Sequence, residues 1–422
     1  MEAFLQYLAD VNDGINTFIW VTLGLFLLLG TGVLTTLITG FFQITHLKHW
    51  WEKTGGGIFR KDVHSKADRS NVSQFQALCT ALAATIGTGN LAGVAAAICL
   101  GGPGAIFWMW VAAFFGMMTN YSENVLGIYF RRRDSRGEWC GGAMYYLKDG
   151  LGKLCGYERI GHVLAVLFSC FAILASFGIG NLGQVNKIVK NVEATFFAGG
   201  NHLVLWGEGA NQITVVSLGI GIVLMVIGFC IILGGLRRIA SVTEKLVPFM
   251  AIIYLAGGII ICAMHIRLVP AALLSIFRFA FGVKAVAGAA TGIAIKTIIT
   301  QGCKRGVYSN EAGLGSSVMV HSNSNVKEPV KQGLWGIFEV FADTLVVCTM
   351  TALLILTSGY IDLNTGLPVA GVNDAVLVAT VFRDASAPSA AISSPWPCSS
   401  SRSRPCSAGR TTAPRPSTIC WA

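Results

Sequence analysis

Residues 82–97 read LAATIGTGNLAGVAAA, and the apolar run is weakened at its middle by Gly87, Gly89 and the amide of Asn90. Each glycine costs about 1 kcal/mol relative to alanine in a helix interior, and unpaired backbone in hydrocarbon costs several kcal/mol more. A helix interrupted there exposes amide N–H groups where one half begins and carbonyl oxygens where the other half ends. Those ends carry partial charges of opposite sign, so one takes a carboxylate and the other a small cation. The chemistry implied is simultaneous binding of an anionic group and a metal ion. Other polar residues sit at similar depth. The stretch GIGNLGQVN at 178–186 carries Asn181, Gln184 and Asn186, FGVKAVAGAATG at 281–292 interrupts a further apolar segment, and carboxylates stand at Glu123 and Asp343. Asp343, mid-span, suits a functional role or a buried structural pairing. Glu123 is near enough in sequence to Arg131–Arg133 to pair with them. Ser309 or Asn310 reads as an N-cap with Glu311 in the first turn of a short helix. Lys284 and Lys296 read as snorkelling or water-facing.

The elements that must hold these residues are membrane helices. The chain is 53% hydrophobic and 12% charged, with a mean hydropathy of +0.62. That leaves too little polar surface to coat 422 residues in water, so the fold class is an all-α polytopic membrane protein in a lipid bilayer. At roughly 20 apolar residues per span, helices are expected near 17–42, 76–100, 104–130, 161–190, 212–233, 246–264, 271–300 and 333–357, with a weaker ninth from 372. The first lacks a basic leader and a small-residue cleavage site, so it reads as a retained span. The 12 cysteines include no C-x-x-C pair, and those within spans (Cys79, Cys99, Cys170, Cys230, Cys262, Cys348) read as packing residues.

The formal charge of +10 is partitioned by loop. Lys48, Lys53, Arg60, Lys61, Lys66 and Arg69 share one loop; Arg131–Arg133, Arg237 with Arg238, and Lys304 with Arg305 mark others on the same side. The alternate loops are poor in cations. This partition assigns the basic loops to the cytoplasm and the N-terminus to the outside, and it argues against nucleic-acid binding.

The broken span 76–100 and the interrupted span 271–300 lie five helices apart, as in transporters built from inverted repeats around a midplane site. The blocks IGTGNLAGVAAAICLGGPGAIFWMW, GGAMYYL, GIGNLGQVN, EKLVPFMAIIY and RGVYSNEAGLGSS resemble the alanine or glycine:cation symporter family over about residues 15–382. The resemblance implies a leucine-transporter-like fold of five plus five inverted-repeat helices with an extra N-terminal helix, in the cell membrane. It implies sodium-coupled, in some members proton-coupled, uptake of a small neutral amino acid, alanine or glycine, with Na+ as coupling ion and no further cofactor. By the same resemblance, the backbone at Thr88 and Gly89 receives the substrate carboxylate with Gly87 also at the substrate site, Asn90 braces the break and the Thr85 carbonyl faces the substrate ammonium. The carbonyls of Ala83 and Ile86 face sodium, Asn181 and Gln184 complete the pocket, and Phe281 limits substrate size.

A membrane enzyme is disfavoured, because the chain has no H-E-x-x-H, no nucleophile elbow and no phosphate-binding loop motif. A channel would need a continuous pore rather than one midplane site. The likeness stops near residue 385, where a serine-, proline- and arginine-rich tail (386–422) replaces an expected span. With third bases chosen freely, a one-base shift lets the tail from Ala385 be re-read as FGTFGGYFIAVALLLFAFSTVLGWSYYG. The expectation is a frameshifted, disordered tail after a symporter domain of residues 1–385 whose second repeat is incomplete. In the resembling fold the lost helix supplies hydroxyl ligands to sodium, so the chain as written is expected to bind sodium poorly.

Overall fold

The computed structural model describes residues 2–64, 72–135, 137–197, 203–206, 212–281, 294–369, 374 and 376–386. In chain order the principal helices are α1 (Gln6–Ile38), α2 (Gln74–Thr85), α3 (Gly89–Gly101), α4 (Gly104–Tyr129), α5 (Glu158–Glu193), α6 (Val215–Ile232), α7 (Gly235–Met264), α8 (Val269–Phe279), α9 (Ile295–Asn310), α10 (Ser316–His321), α11 (Pro329–Thr357) and α12 (Leu377–Ser386). Among the described residues, α1, α5, α6, α7 and α11 are each long and apolar enough to cross a membrane, and α2 and α3, bent by 49° at their break, make a sixth if the pair is one span. This is a mostly helical protein with several apolar helices, as a polytopic membrane protein requires.

Burial separates two kinds of helix. Helix α6 opens on a capping box, in which Thr214 and Ser217 exchange side-chain and backbone bonds, and none of its residues is buried. Its apolar side chains are suited to lipid. Helix α4 is 26 residues long and carries Asn120, Glu123 and Asn124, which lower its hydropathy. It forms the centre of the molecule instead, packed by α1, α9 and α11. Close approach there depends on small residues: a Cβ at Gly302 of α9 would fall 2.3 Å from the carbonyl oxygen of Ala105, and one at Gly336 of α11 2.6 Å from Asn124 Nδ2. The largest apolar cluster joins α3, α4, α8, α11 and α12 around Ile98, Ile106, Ile276, Leu354 and Val378.

Several boundaries differ from those expected. Helix α1 stops at Ile38, before a turn with positive φ at Gly40 and Phe41. The segment expected as one span over 271–300 comprises α8 and the start of α9, and most of its glycine-rich interruption (282–293) lies outside the described residues, as does Lys284. Ser309 and Asn310 close α9 rather than open a helix. Glu311 adopts φ +52°, Gly313 and Gly315 follow at +88° and +81°, and α10 begins at Ser316. The left-handed turn ends the helix before an N-cap can form.

Glu123 does not meet Arg131–Arg133. Eight residues along a helix span about 12 Å, and Glu123 instead accepts from the Gly313 amide at 3.0 Å and the Tyr146 hydroxyl at 3.5 Å. Arg131 donates to the carbonyls of Ser322 (3.1 Å), Ser324 (2.6 Å) and Val326, while Arg132 pairs with Asp149. Burial, with Arg133 beside it, pulls the Arg131 guanidinium down to about 10, so it stays charged at neutral pH. Of the cysteines, Cys79 and Cys348 are buried, Cys99 and Cys262 half-buried, and Cys170 and Cys230 exposed; all are free thiols. Residues 387–422 lie outside the described residues.

Candidate functional site

The break falls where the glycines predict it. Helix α2 starts on a capping box between Ser73 and Gln76 and ends at Thr85, after which Ile86 takes an extended conformation (φ −75°, ψ 91°). The Ile86 amide still bonds the Leu82 carbonyl at 2.8 Å. One residue on, the ladder fails: the Gly87 amide turns to Asn90 Oδ1 at 2.9 Å. That removes the bond an uninterrupted helix would give to the Ala83 carbonyl. The chain re-enters a helix at Gly89 through a wider π-type turn, so the first amides of α3 lack intrahelical partners by construction.

Asn90 is 1% exposed and works in both directions. Its Oδ1 holds the Gly87 amide, and its Nδ2 donates to Asp343 Oδ1 at 2.6 Å and to the Asp343 carbonyl at 3.3 Å. Asp343, from a π-type stretch of α11, is fully buried. Ser309 donates to its Oδ2 at 2.8 Å and Thr344 at 2.9 Å. Cys348 lies 3.4 Å from Asn90 Nδ2 and 3.3 Å from Ser309 Oγ. A carboxylate withdrawn this far from water is tolerated because its oxygens are hydrogen-bonded.

The neighbouring long helix closes one side. Thr88 Oγ1 donates to Gln184 Oε1 at 2.9 Å, and a Cβ on Gly87 would meet that amide at 3.4–3.9 Å. Gly87 therefore faces the gap between α2 and α5. Gly89 faces the other way: a Cβ there would meet the Ser309 backbone at 3.4 Å and the Tyr308 ring at 3.6 Å. That side of α3 packs on α9, with room for a methyl group at ordinary contact distance. A cavity of about 460 Å³ begins at Thr88 and runs along α3, bounded by Leu91, Lys187, Asn191, Tyr254 and Phe382.

The residues singled out from the sequence thus divide. Gly87, Thr88, Asn90 and Gln184 come together at the break, with Gly89 behind it. Thr85 is buried beside it; Ala83 is exposed and Ile86 half-buried. Asn181 is exposed; it lies within the π-type turn Gly178–Gly183, whose wider winding takes it off the face of Gln184 three residues on. Phe281 is 65% exposed and packs on Phe107 and Trp108, with ring centroids 5.4 and 6.1 Å away, near the start of α4. Ser309, Thr344 and Cys348 were not anticipated at the site. The signal for Ser309 lay in the S-N-E-A-G-L-G run itself; Thr344 and Cys348 flank Asp343 at one and five residues.

The profile of the sodium:alanine symporter family matches residues 5–384. The chain belongs to that family. It is 43% identical over 355 residues to the sodium/alanine symporter AgcS of Methanococcus maripaludis, covering 84% of this chain and 72% of that protein. It is 42% identical to an uncharacterized transporter of Haemophilus influenzae, over 83% of this chain and 70% of the relative. A putative sodium/proton-dependent alanine carrier protein, YrbD of Bacillus subtilis, is 38% identical over 83% of this chain and 65% of its own length. The sodium:alanine symporter family is one of transporters rather than enzymes, and with its apolar helices this member is a multi-pass membrane protein.

Proposed function

We propose that the protein couples inward sodium movement to uptake of alanine or glycine, with the solute and the ion meeting at the break between α2 and α3. The observation that carries this reading is the exchange at Gly87, whose amide leaves the helical ladder for Asn90 while Asn90 holds Asp343. Backbone N–H groups at the start of α3 suit a carboxylate. The Ala83 and Ile86 carbonyls and the Asp343 carboxylate suit a small hard cation, which takes oxygen ligands. Thr85 and Gln184 then lie where the rest of a zwitterion extends, and amides orient such a solute without adding net charge.

The fold behind this reading is a five-plus-five inverted repeat preceded by α1, with the second repeat incomplete in this chain. In it α2–α3 opens the first repeat and the segment from α8 to α9 opens the second. The partition of cations among the loops supports an orientation with the N-terminus outside. A cysteine at Lys53, in the short helix Leu47–Lys53, is expected to resist an impermeant thiol reagent in intact cells lacking reactive native cysteines; labelling from outside inverts the orientation. Resequencing across codons 375–422 tests the frameshift, since stop codons or polar residues in the shifted frame would remove it.

The deciding measurement is accumulation of labelled alanine and glycine in proteoliposomes with and without an imposed sodium gradient. Accumulation that persists with choline in place of sodium at constant pH ends the sodium reading. A second reading, proton coupling, draws support from the name of the Bacillus subtilis carrier, and an imposed pH gradient tests it in the same vesicles.

A further inference from the structure

A second buried polar cluster lies one turn from the break along α11. Three helices each contribute residues to a single seam: Asn120 and Asn124 from α4, Ser317 and His321 from α10, and Gln332 and Glu339 from α11. All but Ser317 are 0% exposed, and Ser317 is 3% exposed. Glu339 Oε2 accepts from Asn120 Nδ2 at 2.9 Å and Ser317 Oγ at 2.7 Å, and lies 3.2 Å from His321 Nε2. The other imidazole nitrogen, Nδ1, lies 2.5 Å from Gln332 Nε2.

That pattern leaves the proton count to the Gln332 amide: with its nitrogen against Nδ1 the ring accepts there and donates from Nε2, and with the amide turned over Nδ1 donates as well. It is also lopsided. Glu339 Oε1 has no partner, nor do Asn120 Oδ1, Gln332 Oε1 and both polar atoms of Asn124, among the described residues. Unfilled oxygens therefore outnumber unfilled donors by four to one, in a place where each unfilled group is costly.

We propose that the seam between α4, α10 and α11 is a proton-binding site, in which the Glu339–His321 pair holds one proton. The proton enters from solvent and no other bond changes. On Glu339 Oε1 it makes a hydroxyl donor that an unfilled amide oxygen of the seam accepts. On His321 Nδ1 it makes an imidazolium facing the carboxylate, with the Gln332 amide turned over to accept. Either arrangement removes the net charge and repairs an unfilled acceptor.

The groups around the pair favour the loaded state. Glu123 from α4, Glu311 from the turn before α10 and Asp343 from α11 are acidic and within electrostatic reach. Arg131, the cation facing the end of α10, directs its donors to the carbonyls of Ser322, Ser324 and Val326. Tyr146 contacts Glu123. A metal ion fits less well, because three donors already crowd Oε2. Among the described residues no three His, Cys, Asp or Glu side chains are grouped to hold a metal. The inference does not depend on which solute or ion the protein carries.

The test uses the full chain in lipid and follows infrared difference spectra between about pH 5 and about pH 9, in light and heavy water. A protonated-carboxyl or imidazolium band that titrates with one proton, and is absent from Glu339→Gln, is expected. Reversible unfolding supplies a second readout. A folded state that binds a proton which the unfolded chain has released loses stability as pH rises, by up to about tenfold in the folding ratio per pH unit. E339Q should flatten that slope. Should E339Q fail to fold, His321→Gln, which keeps a donor toward Glu339, is expected to move the wild-type midpoint by about one pH unit or more. Absence of a titrating band in the wild type, an E339Q slope equal to the wild type, or an H321Q midpoint that does not move overturns the proposal.

Discussion

Asp343 and Glu339 stand one helical turn apart on α11, both wholly buried, and the protein holds them in opposite ways. Asp343 has donors on both oxygens, from Asn90 on one and from Ser309 and Thr344 on the other. Glu339 has its contacts crowded on one oxygen and none on the other. The 29-residue helix Pro329–Thr357 has Asp343 at its midpoint, and Glu339 is about 6 Å nearer the end that opens at Pro329. Burial alone therefore does not say what a membrane carboxylate is for. Donors fill both oxygens of the carboxylate at the break, whereas the carboxylate of the seam leaves one oxygen open.

The largest expected effect breaks the first half of that contrast. Asp343→Ala takes the shared carboxylate from the donors of Asn90, Ser309 and Thr344, at about 1–3 kcal/mol for each group left unsatisfied, and should abolish folding or uptake. Asp343→Asn keeps the volume and removes the charge. Sodium-dependent uptake in proteoliposomes should then fall by about a hundredfold, equivalent to about 3 kcal/mol; near wild-type sodium dependence would remove Asp343 from the ion's surroundings. A smaller loss, about tenfold, is expected for Asn90→Ala, which releases the Gly87 amide and the Asp343 contact together. Because Asn90 and Asp343 share one bond, the double variant N90A/D343N should lose less than the two single losses combined. Full additivity would mean that the bond plays no part in transport.

The glycines offer a finer test. Gly87→Ala puts a methyl group 3.4 Å from the Gln184 amide, on the side of the proposed solute. Gly89→Ala puts one against α9, at ordinary contact distance from Ser309 and Tyr308. Alanine uptake should have a KM raised about three- to tenfold by G87A, about 1 kcal/mol, and unchanged by G89A. The reverse order would place the solute between α3 and α9.

The break was legible because glycines and an amide inside an apolar run contradict the lipid around them, and no tertiary contact is needed to see that. Gln184 was legible for the same reason. Its neighbour Asn181 was not, since a π-type turn shifts the phase on which a face assignment depends. The Glu339 seam was missed because its residues come from three helices far apart in sequence, although Asn120, Glu123 and Asn124 at helical spacing in a 26-residue helix were a signal. Glu123 misled through sequence proximity: eight residues separate it from Arg131, and the acceptor it provides goes to a glycine amide 190 residues away. Pairing across helices is set by packing, which composition and periodicity do not carry.

The smallest expected effect removes one hydroxyl from each carboxylate. Ser309→Ala leaves Asp343 Oδ2 with Thr344 alone, and Ser317→Ala leaves Glu339 Oε2 with Asn120 and His321. Each should cost about 1 kcal/mol in reversible unfolding, so stability does not tell them apart. Their second readouts should differ. A hydroxyl donated to a carboxylate favours the ionised form, so its loss at Ser317 should raise the midpoint of the seam's titration and carry the loss of stability to higher pH. Loss of the Ser309 hydroxyl should instead alter the sodium concentration needed for half-maximal uptake. A midpoint that moves with S309A, or a sodium requirement that moves with S317A, would mean that the two carboxylates titrate as one coupled unit, and the division of labour along α11 would have to be abandoned.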